Sequence, residues 1–406
     1  MSTANLNSVA LANMTQFLPS TDVFNMRLVA REFTVNYNYL EDCCFTKRNV
    51  HLILHGGSFI AEQLKTFGAC LHLKLTGKDF LPVLKSMKKY KVIKYVGELT
   101  VTDSECLLNE DLEIMRLMPN LTYVKFTESS NNDDIKWDIR NKLAKDVKPY
   151  WRKLDVLGSL KKLWCVEMEG VLLQDASMLG HVSHVDLSDT FVKDVSALGN
   201  VPSLMLHNTP VVDVSALGKV KSLTLSKTQV KDVSALCNAE HLDLSDCSNL
   251  EDVSMLTNVK WLSVAFCHNI TSAEGLSACE TLDLTSTKVK DVSMLGKQKS
   301  LCLKNTPVRN VSALKNVTRL NLSYTKVKNV SSLTGVDVLD LEGCYVSNVA
   351  QLHKLKKLRV LYLGKQIFLS NPKGVDLTGM PNLKMVFLPN KKSRKIELDA
   401  RVKLLY

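Results

Sequence analysis

Two cysteines and two histidines near residue 50 have side chains that could bind a metal ion. Cys43 and Cys44 precede His51 and His55, and thiolate and imidazole groups are common zinc ligands. The segment HLILH (51–55) alternates like a strand, which places the two histidines on one face but about 13 Å apart. Because both would need bonds of about 2 Å to one zinc ion, we expect neither a metal site nor a cofactor.

Enzyme motifs are missing from the sequence. It contains no phosphate-binding glycine loop, no GxSxG elbow, no HExxH pair and no paired-carboxylate motif. We therefore expect a protein that acts by binding and is not an enzyme.

A repeat with a period of nineteen must position any binding residues. Three consecutive blocks align without gaps: SHVDLSDTFVKDVSALGNV (183–201), PSLMLHNTPVVDVSALGKV (202–220) and KSLTLSKTQVKDVSALCNA (221–239). The next two blocks have one extra residue each, and the original period then returns. Such self-similarity is typical of a solenoid, in which stacked units share one continuous core.

Each block predicts the same local structure. Val185 and Leu187 alternate with polar residues, which indicates a short strand with one buried face. Asp194 and Ser196 can bond to local backbone N–H groups and start a short helical turn. We expect Gly199 to leave that turn with a positive φ. Four more apolar positions face inward: Val192, Val195, Leu198 and Val201.

One position after each strand is Thr or Cys, and this pattern, LxLxxT/C, resembles the leucine-rich repeat. The D-V-S-x-L-x-x-V half is similar to the convex side of the bacterial internalin type. The resemblance implies an α/β solenoid, a leucine-rich-repeat horseshoe with a parallel β-sheet on its concave face. Since a period of nineteen is below the family's usual range of about 20–29, we expect 3₁₀ or extended segments on the convex side. The position holds Thr190, Thr209, Thr228, Cys247, Cys267, Thr287, Thr306, Thr325 and Cys344.

The repeat divides the chain into four parts. We expect a helical module at 1–48, irregular leucine-rich repeats at 49–163, regular repeats with a period of nineteen or twenty at 164–357, and C-terminal repeats with a cap at 358–406. In the irregular part, strands are predicted at 50–54, 71–75, 98–102 and 121–126, with helix between them, as in FLPVLKSMKKYKVI (80–93). Residues 361–363 and 386–388 are predicted to be the last strands.

The exposed side of the sheet is the expected target-binding surface, because residues flanking the buried strand positions point away from the core. Trp261 and His241 are the favoured pair, since tryptophan is enriched in binding hot spots. The alternative is an ordinary solvated sheet face. The candidate residues are His184, Asp186, His241, Asp243, Trp261, Asp283, Arg319 and Asp340.

The loops after the strands carry recurrent cations, and the chain has a net charge of +11. A basic edge of this kind favours an acidic or phosphorylated partner. Nucleic acid ranks lower because aromatic residues make up only 6% of the chain. The alternative is charge placed for solubility. The edge comprises Lys227, Lys231, Lys288, Lys290, Lys304, Arg309, Lys326 and Lys328.

The segment FLPSTDVFNMRLVAREF (17–33) resembles the middle of an F-box. Two features depart from that pattern: Ala30 replaces the common Cys or Ser, and the leading Leu-Pro of the first helix is missing. The resemblance implies that residues 1–48 bind the adaptor subunit of a cullin–RING ubiquitin ligase. The contacts it implies are Leu6, Val9, Leu18, Pro19, Val23, Leu28 and Val29.

Together, the two resemblances imply a substrate-recognition adaptor, with the F-box on the ligase and the repeats on a target protein. The alternative is a leucine-rich-repeat scaffold or enzyme regulator with no ubiquitin role. No apolar run approaches the roughly 20 residues that span a bilayer, and no secretory signal is visible. We therefore expect a cytoplasmic or nuclear protein with no membrane partner, in which the 11 cysteines are free thiols.

Overall fold

The computed structural model describes residues 44–45, 71–89, 91–102, 104, 107, 109–127, 154–389 and 396–406. They belong to two compact units, Met1–Asp186 and Leu187–Tyr406. The strand predicted at 50–54 and the side chains of Cys43, Cys44, His51 and His55 lie outside the described residues. So do the predicted ligase contacts Leu6, Val9, Leu18, Pro19, Val23, Leu28 and Val29.

The first unit contains six parallel strands, β1 to β6, in sequential order. The strands predicted at 71–75 and 98–102 are confirmed within β2 and β3, and the one predicted at 121–126 is shorter, since β4 begins at Tyr123. The helix expected after β2 begins at Gly77 and ends at Lys89. The strands are Cys44–Phe45, Leu71–Thr76, Val96–Thr102, Tyr123–Phe126, Cys165–Glu167 and His184–Asp186. The α-helices are α1, Gly77–Lys89, and α2, Asn109–Leu112; the 3₁₀ turns are Ile93–Tyr95, Glu113–Leu117, Asp155–Ser159 and Ser177–Leu179.

The second unit repeats one strand and one short turn, with a single described α-helix, α3, Lys365–Ser370. Its strands β7 to β15 are Ser203–Met205, Ser222–Thr224, His241–Asp243, Trp261–Ser263, Thr281–Asp283, Ser300–Cys302, Arg319–Asn321, Val338–Leu341 and Val360–Leu363. Strands β16 to β19 are Val375–Asp376, Met385–Phe387, Ile396–Glu397 and Lys403–Leu405. The 3₁₀ turns are Ser196–Leu198, Ser215–Leu217, Ser234–Asn238, Leu276–Ala278, Ser312–Leu314 and Val349–Lys354. The expected solenoid with a parallel sheet and short 3₁₀ turns is confirmed.

Strand register follows the sequence period. Leu204 pairs with Leu223, and Leu223 pairs with Leu242, so each partner is the nineteenth residue further along. Where a block carries one extra residue the register lengthens with it, so that Leu242 pairs with Leu262. Equivalent residues therefore stack directly on one another, and each repeat forms one rung of the solenoid.

The Thr and Cys position of the repeat is buried in every rung of the second unit, at 5% exposure or less. The hydroxyl of Thr190 donates to the Leu187 carbonyl of its own rung at 2.6 Å, and Thr228 does the same to Leu225. The thiol of Cys267 instead donates to the Leu244 carbonyl of the preceding rung at 3.0 Å. The hydroxyls thus bond to the bend of their own rung, and the thiols join adjacent rungs.

The residue before this Thr or Cys adopts a left-handed conformation in successive rungs. Asp189, Asn208, Lys227 and Asp246 have φ between 53° and 61°, and Phe266 continues the series at 62°. A left-handed backbone costs most non-glycine residues roughly 1–2 kcal/mol. A cross-rung bond opposes this cost, because each of these N–H groups donates to a carbonyl of the next rung at 2.7–2.9 Å.

The expectation that Gly199 has a positive φ is wrong. Its φ is −61°, which any residue can adopt. A Cβ at this position would lie 2.3 Å from the carbonyl oxygen of Ala216 in the next rung. The glycine is needed because two backbones approach closely there, and the positive φ occurs instead at the bend after the strand.

Aspartates start the short turns, as predicted. Oδ1 of Asp194 accepts the backbone N–H of Ser196 at 2.9 Å, and Asp232 accepts that of Ser234 in the same way. Asn310, Asn329 and Asn348 replace aspartate in three later rungs and keep the bond at 2.9–3.0 Å. A neutral amide oxygen therefore forms this bond as well as a carboxylate does.

The C-terminal segment continues the sheet further than the sequence suggested. The prediction that 386–388 would be the last strand is wrong, since Lys403–Leu405 pairs in parallel with Met385–Phe387. This pairing satisfies backbone groups on the edge of β17 that would otherwise stay open.

Across the described ranges, no helix has both the length and the apolar character needed to cross a membrane.

The turn-starting aspartates make the folded state less stable in acid. Hydrogen bonds from the Ser N–H groups lower the pKa of five of them below the usual value: Asp194, Asp213, Asp232, Asp252 and Asp291. Since their folded pKa lies below the unfolded pKa, their stabilisation is complete above the unfolded value and is lost as pH falls through the folded value.

We predict that changing all five to Asn, the residue already present at 310 and 329, reduces the loss of stability in acid. Urea denaturation midpoints at pH 7 and about pH 2.5 measure this loss. The midpoint should fall less for the variant than for the unmodified chain. Equal falls would show that these carboxylates do not stabilise the folded state.

Candidate interaction surface on the sheet

Each rung of the second unit places three side chains on the outer side of the sheet. They are the first and third strand residues and the residue two positions later, which we call the first, third and fifth positions. Their neighbours in sequence are the buried Leu and Val residues of the core. Because the rungs are in register, each position forms a straight column along the unit.

The pair His241 and Trp261, favoured from the sequence, occupies the first column on adjacent rungs. Their ring centroids are 6.4 Å apart and the ring planes are inclined by 36°. His241 is exposed and Trp261 is half-buried. The structure therefore brings the two rings together on an accessible part of the sheet. Their part in target binding stays a prediction.

His184 and Asp186 lie in the first unit, on β6. His184 is exposed and packs edge-on against Trp164, with ring centroids 5.1 Å apart. Trp164 is itself 49% exposed, so the first unit also presents a paired tryptophan and histidine. Trp164, the residue just before β5, was not among the positions expected from the sequence.

The acidic candidates on the third column have a structural role. Oδ1 of Asp243 accepts both the N–H and the hydroxyl of Ser245, at 2.9 and 2.5 Å. Asp283 makes the same pair of bonds with Thr285. Since these bonds hold the backbone where the strand ends, carboxylates at these positions stabilise the bend. Contact with a target remains a prediction for them.

Arg319 and Asp340 lie near one another on β13 and β14. Arg319 is exposed in the first column. Asp340 accepts the Glu342 N–H at 2.9 Å, and burial raises the pKa of its carboxyl above the usual value. Arg319 is therefore the more accessible of the two for a partner.

Polar side chains of the fifth column bond to the fifth or third position of the next rung, a feature that was not expected from the sequence. Nδ1 of His207 lies 2.7 Å from the Ser226 hydroxyl, and the hydroxyls of Ser245 and Ser263 are also 2.7 Å apart. Thr285 lies 3.1 Å from the Cys302 sulfur. These bonds fix side-chain positions across the sheet. The recurrence of Ser or Thr at this position was the available signal.

An apolar section of the sheet near the C-terminus was also missed. Tyr362 and Phe387 stack with ring centroids 4.3 Å apart and planes inclined by 10°. Beside them the first column changes from Arg319 to Val338, Val360 and Met385. That change in residue type was readable once the columns were aligned.

Two buried cysteines of the second unit are held in the thiol form. Burial raises the pKa of the Cys267 thiol to about 12 and that of Cys279 to about 11, so neither is a thiolate near neutral pH. Where side chains are described, no three His, Cys, Asp or Glu residues are grouped so that they could hold a metal ion.

No family model matches the chain, and no curated protein matches its sequence. Solved structures do resemble it. The TLR13 chain of a complex with ssRNA13 is 17% identical with a TM-score of 0.54, over 82% of this chain and 54% of that chain. A leucine-rich-repeat protein of Leptospira interrogans is 13% identical with a TM-score of 0.50, over 83% and 90%.

The functional domain of InlJ from Listeria monocytogenes is a further similar structure. It is 15% identical with a TM-score of 0.48, and the match covers 62% of this chain and 59% of that domain. At such identities a resemblance defines the fold alone. The matches with TM-scores of 0.54 and 0.50, together with the register and turns described above, show that the chain has the leucine-rich-repeat fold.

Proposed function

We propose that the chain is a non-enzymatic protein-interaction scaffold whose sheet face binds a target protein. The observation that supports this most is the contact between His241 and Trp261 on adjacent rungs. A half-buried tryptophan offers a large rigid surface with little entropy left to lose on binding, which is why tryptophan dominates many interfaces.

The surroundings of this pair favour rigid presentation. Leu242 and Leu262, directly between the outward residues, are fully buried. The hydroxyls of Ser245 and Ser263 are bonded to each other on the same two rungs. A surface held in place before binding loses less conformational freedom when the partner arrives, so more of the contact energy contributes to affinity.

Photo-crosslinking tests the surface directly. We predict that a photoreactive residue at Thr281, next to Trp261 in the first column, forms adducts with protein from a lysate of cells expressing the chain. A photoreactive residue at Met294, which is 64% exposed away from the strands, should form far fewer. Trp261→Ala should weaken capture of the same protein by at least about tenfold, the effect of removing a hot spot.

The matched control for Trp261→Ala is Thr281→Ala, a truncation one rung away in the same column. It should change affinity by less than about threefold, as most interface positions do. Equal adduct yields at positions 281 and 294, or full capture by Trp261→Ala, would contradict the proposal.

A finer proposal concerns residues 1–48. Their likeness to an F-box, in FLPSTDVFNMRLVAREF, supports a substrate-recognition adaptor of a cullin–RING ubiquitin ligase, acting in the cytoplasm or nucleus. In that case the scaffold would bring its target near the ligase and raise the effective concentration of target lysines there. The scaffold function does not depend on this step.

A pull-down with the purified cullin-adaptor subunit tests the finer proposal. We predict that the full chain binds the adaptor and that Leu18→Ala with Val29→Ala abolishes binding, because both would lie in the contact. The variant should keep the thermal unfolding midpoint of the repeats. A chain that never binds the adaptor, or a variant that binds it normally, leaves only the scaffold function.

A further inference from the structure

The segment after each bend presents two side chains per rung on a lateral face of the second unit. They are the residues one and three positions after the buried Thr or Cys, and the Val between them is buried. In one rung Lys288 and Lys290 are exposed around Val289, and two rungs later Lys326 and Lys328 are exposed around Val327. The alternation places both exposed side chains on the same side of the chain.

Cations concentrate on this lateral face in three consecutive rungs. Adjacent rungs in a parallel stack are about 5 Å apart, so Lys290, Arg309 and Lys328 form a short row. Lys304 lies at the fifth position of the rung that carries Arg309. We name the whole group the basic lateral patch; it consists of Lys288, Lys290, Lys304, Arg309, Lys326 and Lys328, all exposed. None of the six has an ion-pair partner among the described residues.

The turn-starting residue next to the row differs between rungs. Lys193, Lys231 and Lys290 of the row are each followed by a carboxylate, namely Asp194, Asp232 and Asp291. Arg309 and Lys328 are followed instead by Asn310 and Asn329, which form the same turn bond without a charge. Among the described rungs with a cation at this position, only these two lack the carboxylate that would partly neutralise it.

Solubility does not require asparagine at positions 310 and 329, because an aspartate beside each cation would also keep the surface polar. The substitution to Asn leaves the turn intact and raises only the local positive potential. Exposed charges act over about 8–10 Å at physiological salt, so the six cations act together on a ligand that crosses these rungs.

The rings at this edge favour peptide over nucleic acid. Tyr324 is close-packed on one side, where a Cβ on Gly343 would lie 2.6 Å from its Cδ1. The ammonium of Lys304 lies 5.9 Å from the ring centroid. The Tyr324 hydroxyl donates to Glu342 at 2.7 Å, so a carboxylate lies beside this ring. Successive bases of a single strand need closely spaced free ring faces, which this arrangement does not offer.

We propose that the basic lateral patch binds an acidic segment, rich in aspartate and glutamate, of a protein partner. The carboxylates of an extended chain would meet Arg309 and Lys328 first, with Lys290, Lys304, Lys288 and Lys326 around them. The row at the centre of the patch is separate from the first column of the sheet, so a partner can bind one surface without the other.

Fluorescence anisotropy with the full chain and a labelled poly-glutamate peptide at low ionic strength tests the proposal. Arg309→Gln with Lys328→Gln should weaken binding by roughly threefold to thirtyfold, the range expected for two exposed ion pairs. The control pair Lys193→Gln with Lys231→Gln removes the same charge from the same repeat position and should change affinity by less than about twofold.

A second variant keeps every cation. Asn310→Asp with Asn329→Asp restores the carboxylates while retaining the turn bonds that Asp194 and Asp232 make. It should weaken peptide binding without lowering the thermal unfolding midpoint. Trp261→Ala should leave peptide binding unchanged. The peptide experiment therefore tests the basic lateral patch separately from the scaffold function.

Three results would overturn the proposal. One is the absence of saturable peptide binding. Another is an equal loss of affinity in the patch variant and the control variant. The third is tighter binding of a single-stranded oligouridine of equal charge that depends on Arg309 and Lys328, which would assign the patch to nucleic acid.

Discussion

Hydrogen bonding between rungs in a fixed register is the interaction on which the rest of the structure depends. A strand of three residues cannot bury a core or satisfy its own backbone groups. In the second unit each strand from β7 to β15 bonds to the next. The bonding continues past the strands, where Asp189 N–H donates to the His207 carbonyl at 2.8 Å. This bond opposes the cost of the left-handed bend, and the bend directs Thr190 inward to its buried hydrogen bond.

The register also explains how so regular a sequence presents a distinctive surface. The buried positions hardly vary, because each must fill the same space beside its neighbour. The exposed columns are free of that requirement, so Trp261 follows His241 and Asn329 follows Asn310 without disturbing the core. Both proposed binding surfaces consist of departures from the repeat: an aromatic pair on the sheet and uncharged turn residues beside cations.

Much of the fold was predictable from the sequence because it depends on periodicity. The strands, the 3₁₀ turns and the aspartate bonds follow from spacing and from local side-chain chemistry. The reason for Gly199 was not predictable in this way, since it lies in the approach of Ala216 from the next rung. The left-handed bend was overlooked although Asp189, Asn208, Asp246 and Asn305 all suit that conformation. For the candidate site, the sequence predicted which residues lie side by side but not the bonds they make. His241 was expected beside Trp261, whereas the hydrogen bond between Ser245 and Asp243 at the bend was not expected.

Disulfide trapping measures the register most directly. Ser203 and Ser222 are paired on adjacent strands, and paired parallel residues lie within the Cα separation of about 4.4–6.8 Å that a disulfide needs. Mild oxidation of Ser203→Cys with Ser222→Cys should form the crosslink, detected by mass spectrometry. Ser203→Cys with Thr224→Cys, offset by two residues along the strand, should not. Crosslinking of the offset pair, or of neither, would contradict the stacking of every nineteenth residue in this part of the chain.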